Sequence, residues 1–89
     1  MKLIFDAIQL NQLFGQELHN KRKLHHLSTH ELSTRLQNTY NISVSAMTIS
    51  RVERGSVVSS DKLFALARFL DINLNDFINY LPAPDEETE

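Results

Sequence analysis

The residues best suited to do chemistry lie in one short stretch, Ser45-Ala46-Met47-Thr48-Ile49-Ser50-Arg51-Val52-Glu53-Arg54-Gly55. Ser45 is a good N-cap and Gly55 a good C′ residue, so both ends of a short helix are marked. At about 100° per residue, Ala46, Val52 and Glu53 fall on or beside the face of Ile49, whereas Met47, Ser50, Arg51 and Arg54 point the other way. One narrow apolar side can dock on a core. The opposite side carries two guanidinium groups, a hydroxyl and a thioether, with no carboxylate among them. Guanidinium groups suit phosphate and the O6 and N7 acceptors of guanine, so the chemistry expected of this side is recognition in the major groove of DNA.

Two other chemistries find less support. The four histidines, His19, His25, His26 and His30, have no cysteine partner, and a turn between His26 and His30 spoils i, i+4 chelation. They read as surface histidines, and no metal is expected. Serine, histidine and aspartate all occur, but neither a glycine-framed nucleophile nor a paired-carboxylate spacing frames them. Neither an enzyme nor a cofactor is expected.

The chain that must position this helix has 89 residues, 42% of them apolar, enough for one small core. It contains neither Cys nor Trp, so folding rests on packing alone, and the expected setting is a reducing cytoplasm. No apolar run approaches the roughly 18 residues of a membrane span, and Asp6 interrupts Met1–Phe5 too soon for a signal peptide. The net charge of −2 is unfavourable for a nucleic-acid binder, but its distribution is not. Asp85, Glu86, Glu87 and Glu89 follow Pro82 and Pro84 and read as an acidic disordered tail over 82–89. Between residues 20 and 54, Lys21, Arg22, Lys23, Arg35, Arg51 and Arg54 face only Glu31 and Glu53. The charge is polarised.

In chain order, Leu3, Ile4, Phe5, Ile8 and Leu10 suit either an edge strand or the start of a helix capped by Asp6. The helix is preferred, because Leu10, Phe14, Leu18 and Arg22 recur on successive turns and predict helix 1 from about Asp6 to Lys23, broken or not near Asn11. Residues 1–11 are read as an N-terminal extension of this helix and 12–81 as the main domain. Gly15 inside the helix predicts close approach of another backbone. His25-His26-Leu27 is a turn, and Ser28-Thr29-His30-Glu31 is a capping box opening helix 2, whose inner face is Leu32 and Leu36. From Gln37 to Val44 there is no clear period, with Tyr40 and Ile42 as the expected anchors. Either helix 2 runs on to about Tyr40 or these residues form a loop. Helix 4 is expected to be capped by Ser59 or Ser60, burying Leu63, Leu66, Ala67 and Leu70, with Phe64 and Phe69 reaching helices 1 and 5. Asn73 caps helix 5, with Leu74, Phe77, Ile78 and Leu81 on its apolar face and Pro82 ending it. The fold class is all-α, five short helices joined by turns.

Phe14-Gly15, Leu18, Arg22, Leu27-Ser28, Glu31-Leu32, the string Thr48-Ile49-Ser50-Arg51-Val52-Glu53-Arg54-Gly55, Leu66-Ala67 and Leu70 together resemble the phage repressor/Cro-like, XRE-type helix-turn-helix regulators. The resemblance covers about residues 12–81, and its most specific part is Thr48–Gly55. It implies a five-helix lambda-repressor-like DNA-binding domain in which helices 2 and 3 form the motif and helix 3 enters the groove. Two departures stand out. The family often has glycine at the helix 1–2 turn, where this chain has His26, and the interval from Leu36 to Ser45 is longer than the three or four residues of a compact motif.

The resemblance also implies roles. Ala46, Met47, Thr48 and Arg51 match base-contacting positions. Of these, only Arg51 can take guanine O6 and N7 bidentately, while Ala46, Met47 and the Thr48 methyl suit thymine methyl groups. Phosphate contacts are expected from Ser28 and Thr29 at the start of helix 2, where free amides point outward, and from Ser50, Arg54 and Ser56. The start of helix 4 near Ser59-Ser60 offers similar amides. Glu53, on the inward side of the helix, requires a partner, and the family pairs it with an arginine at the position of Arg22. Arg22–Glu53 is therefore expected as a structural ion pair orienting helix 3.

These readings predict a sequence-specific double-stranded DNA-binding transcriptional regulator, a small repressor acting as a homodimer on a palindromic operator. Candidate dimer contacts are Val57, Val58, Tyr80, Leu81, Phe5 and Ile8. The alternatives are an antitoxin of the same fold with a toxin partner, and a helical protein-interaction module without DNA binding.

Overall fold

The computed structural model describes residues 6–84 and contains five helices, α1 (Ala7–Leu24), α2 (Thr29–Tyr40), α3 (Ala46–Glu53), α4 (Ser60–Leu70) and α5 (Asn75–Ile78). The expectations for Leu3, Ile4 and Phe5, and for the acids from Asp85 onward, concern residues outside those described. Polar side chains start three of the helices. The Asp6 carboxylate accepts from the Ile8 amide at 3.0 Å, Ser28 Oγ from Glu31 at 3.0 Å, and Ser45 Oγ from Thr48 at 3.0 Å. Each satisfies one of the amides that a helix start leaves without an internal acceptor. α1 runs unbroken through Asn11.

Four helix ends close through a left-handed residue, and only one of these is glycine: His26 (φ 57°), Asn41 (φ 57°), Asp71 (φ 58°) and Gly55 (φ 103°). After α1, the His26 amide donates to Lys23 O at 2.9 Å and the Leu27 amide to Arg22 O at 3.2 Å, the paired bonds of a Schellman end. The left-handed position at this turn is thus taken by an exposed histidine, His26, rather than by glycine. Asn41 ends α2 with its amide on Gln37 O at 2.9 Å. The longer interval between Leu36 and Ser45 is therefore half helix, because α2 continues to Tyr40 and the irregular segment begins only at Asn41.

α3 lies across α1 and α2, and α4 packs on the same pair. Leu18, Leu32, Leu36, Ile49, Leu66 and Leu70 are fully buried at the centre. Val44, 1% exposed, anchors the 41–45 segment in the core more deeply than Tyr40 or Ile42, which pack at its edge. No periodic pattern marks Val44, since it stands outside any helix. The other expectations that change concern α4 and α5. Phe64 is 58% exposed, and Phe69 meets Tyr40 of α2 edge-on at 6.4 Å. α5 is a single turn, with Asn73 Oδ1 accepting from the Asn75 amide at 3.0 Å. Phe77 fixes it to α1 through a T-shaped contact with Phe14 at 5.4 Å, and Ile78 and Leu81 stay exposed rather than extending an apolar face. Ile72, between α4 and α5, is buried in the core. No helix among the described residues is long and apolar enough to cross a membrane.

At Gly15, α1 and the end of α3 approach backbone to backbone. A Cβ there would collide with the Val52 carbonyl oxygen and lie 2.8 Å from that of Glu53. Gly15→Ala is expected to destabilise the fold by about 2–3 kcal/mol in urea unfolding, although alanine is the better helix former by about 1 kcal/mol, because backbone cannot yield as a side chain can. His26→Gly removes a Cβ from left-handed backbone and loses no side-chain bond. It is expected to raise stability by about 1 kcal/mol, read as a higher Tm.

Candidate nucleic-acid interface

α3 is short, so its ends define it. At the start, Ser45 Oγ accepts from the Thr48 amide and donates to Thr48 Oγ1 at 2.9 Å, which leaves the Thr48 hydroxyl proton free for another acceptor. At the end, the Gly55 amide donates to Val52 O at 2.9 Å and the Ser56 amide to Arg51 O at 3.0 Å, a Schellman closure that needs the positive φ of Gly55. Ile49 and Val52 are buried. Met47 is 60% exposed, Arg51 and Arg54 are also exposed, and Ala46, Thr48 and Ser50 are half-buried at the flanks. Neither Arg51 nor Arg54 has a carboxylate partner among the described residues. This leaves one side of α3 with both guanidinium groups unpaired.

Arg22 and Glu53 are brought together beneath that side. Arg22 Nε donates to Glu53 Oε2 at 2.6 Å and Arg22 Nη2 to Oε1 at 3.0 Å, a bidentate pair whose side chains are 8% and 9% exposed. Arg22 Nη1 also donates to the Leu27 carbonyl at 2.8 Å, so one side chain ties α1, the α1–α2 turn and α3 together. A third partner was missed by sequence reasoning. His19 Nδ1 lies 2.9 Å from Glu53 Oε1 and 3.2 Å from Arg22 Nη2. Because guanidinium only donates, Nδ1 can serve one of these neighbours at a time, giving a proton to Glu53 or accepting one from Arg22. The available signal was spacing, since His19 precedes Arg22 by three residues and so shares its side of α1.

Burial pushes the Glu53 carboxyl pKa up, but the hydrogen bonds from Arg22 and His19 and the Arg22 charge outweigh it and hold the pKa below the ordinary glutamate value. The hydrogen bond to Glu53 in turn raises the pKa of Arg22.

The start of α2 is partly spoken for. The Ser28 amide donates to Glu31 Oε1 at 2.8 Å, completing the capping box, and this bond holds the Glu31 carboxyl below its ordinary pKa. The Ser28 amide is therefore not available as an outward donor. The amides of Thr29 and His30 remain, as the first-turn positions without an internal acceptor. Beside them a shallow recess is lined by Lys23, His26, Ser28 and Thr29. At the start of α4, Ser59 Oγ donates to the Asp61 carboxylate at 2.7 Å instead of capping the backbone. An anion of the chain itself already occupies that helix end, which makes it a poor seat for phosphate. Ser56 is exposed just past α3. Of the apolar residues considered for a dimer contact, Ile8, Val57, Tyr80 and Leu81 are exposed, whereas Val58 packs against the core. No group of His, Asp or Glu among the described residues is arranged to hold a metal ion.

The family model described as helix-turn-helix matches residues 18–77, the span from the middle of α1 to α5. The chain belongs to this Cro-like, XRE-type helix-turn-helix family of DNA-binding regulators. No curated protein and no solved structure matches it significantly.

Glu53→Gln is expected to cost about 3 kcal/mol at neutral pH, because Arg22 then keeps a buried charge without its counter-ion. The stabilisation from a lowered carboxyl pKa is complete above the unfolded value, about 4.3, and is lost as pH falls through the lower folded value. Urea unfolding of both proteins across this range checks the sign. The gap between them is expected to close only below about pH 4.

Proposed function

We propose that this protein is a sequence-specific double-stranded DNA-binding transcriptional regulator, a small repressor that acts as a homodimer on a palindromic operator. The observation that carries this reading is the exposed, carboxylate-free side of α3, with Met47 and Arg51 unpaired above a buried clasp that fixes the helix. In this reading Arg51 reads guanine through O6 and N7, and Ala46, Met47 and the Thr48 methyl contact thymine methyl groups. Thr29, through its amide, and Ser28, Ser50, Arg54 and Ser56, through their side chains, hold phosphates and set the register. Arg22 and Glu53 touch no DNA and serve to hold α3 at its angle. One such unit reads half a site, so two copies related by a two-fold axis read a palindrome. Occupancy of an operator by the bound dimer excludes other proteins from the same DNA, which makes repression the simplest outcome of binding.

In vitro selection from random duplexes tests the reading. The expected product is a palindrome with half-sites about 10 base pairs apart, centre to centre. Arg51→Ala is expected to relax the preference at one guanine, a loss of about 1–3 kcal/mol of discrimination. Arg54→Ala is expected to weaken binding to all sequences alike and reduce the salt slope by about 1. Failure to enrich any sequence, or an Arg51→Ala profile identical to wild type, would overturn it.

A further inference from the structure

A second surface, formed by α4 and the segment after it, has the composition of an interface with itself. Phe64 on α4 is 58% exposed and stands at the rim of a recess of about 270 Å³, lined also by Ala67, Arg68, Asp71 and Leu74. Arg68 and Asp71 are both exposed, three residues apart at the end of α4, and neither has an ion-pair partner among the described residues. The patch thus offers an aromatic projection, a hollow beside it, one free cation and one free anion.

We infer that this patch is where a second copy of the chain docks, with Phe64 of each copy over the recess of the other and Arg68 of each facing Asp71 of the other. A two-fold interface must be complementary to itself, so knob and hole, and cation and anion, have to lie on the same surface. That condition is met here. It is not met by the groove between α1 and α5, where Phe77 and Tyr80 lie between Glu17 and Asp76 with no cation lining it, so two copies would bring like charges together. The exposed Ile78 and Leu81 near that groove therefore make a poorer self-contact than Phe64, despite being equally apolar. The inference names the dimer contact for the reading given above and rests on it for its use on DNA, while the contact itself can be tested without DNA.

Sedimentation equilibrium of the full chain, with no DNA present, provides the test. Wild type is expected to dimerise, and Phe64→Ala to raise the dimer Kd about 30-fold, as for loss of a central aromatic anchor. Because Phe64 is exposed, the variant is expected to melt as wild type does, which separates loss of contact from loss of fold. Arg68→Glu alone and Asp71→Lys alone are each expected to be monomeric, and an equimolar mixture of the two to form a heterodimer. In that mixture each of the two charge contacts again joins opposite signs. Asp71 has left-handed backbone, so its lysine variant is the one at risk of destabilisation, and Phe64→Ala carries the test without it. A monomeric wild type, or dimerisation unchanged by Phe64→Ala, would overturn the inference. A Phe64-dependent dimer that selects no DNA sequence would support this contact and overturn the proposed function. The reverse result, sequence selection with a dimer indifferent to Phe64, would leave the function standing and remove the contact.

Discussion

A helix that offers guanidinium groups on one side carries a carboxylate on the other, and the arrangement of the domain follows from how that carboxylate is satisfied. Glu53 is nearly buried, and its two oxygens receive Arg22 twice, with His19 beside them. The same arginine reaches the Leu27 carbonyl, so the rotation of α3 about its axis is linked to the turn between α1 and α2. A buried ion pair is a poor source of net stability, because desolvation offsets most of the attraction. Its value here is geometric. A rotation of α3 large enough to hide Arg51 would leave Glu53 and Arg22 unpaired in a dry site.

The clasp works because the backbones meet at the same place. Gly15 leaves room for the Val52 and Glu53 carbonyls against α1, which brings the Glu53 side chain within reach of Arg22, about two turns further along α1. The other end of α3 is held differently, by the Ser45 cap and by Val44 in the core just before it. An ion pair therefore grips the C-terminal end, and a hydrogen-bonded cap with a buried valine the N-terminal end, leaving the residues between them, Met47 to Arg51, with their outward side unencumbered.

Charge is distributed with the same economy of position. Glu31 and Asp61 both sit in the first turn of their helices, where the helix dipole favours an anion, and both keep their carboxyl pKa values low through local hydrogen bonds. With Glu53 turned inward, no acid of the 20–54 segment except Glu31 reaches the surface beside α3. The basic character of this side therefore comes from where the acids are put rather than from an excess of cations over the whole chain.

Much of this was legible in residue order. The caps at Ser28 and Ser45, the glycine that ends α3, the inward Ile49 and Val52 and the need of Glu53 for a partner follow from local chemistry, which acts over three or four residues and leaves a pattern. The features that escaped were those with no local period. Val44 is buried from an irregular segment, His19 joins a site built from residues 34 positions apart, and Phe64 faces solvent on a helix whose next turns are buried. In the left-handed turn after α1, backbone geometry allows a histidine where glycine is usual, because the closing hydrogen bonds are made by backbone alone. Sequence by itself determined which segments are helical and which way α3 turns its charges. Only the tertiary structure decided which distant side chains meet and which aromatic is left uncovered, since those depend on how helices cross, and crossing is set by packing between segments that no single segment encodes.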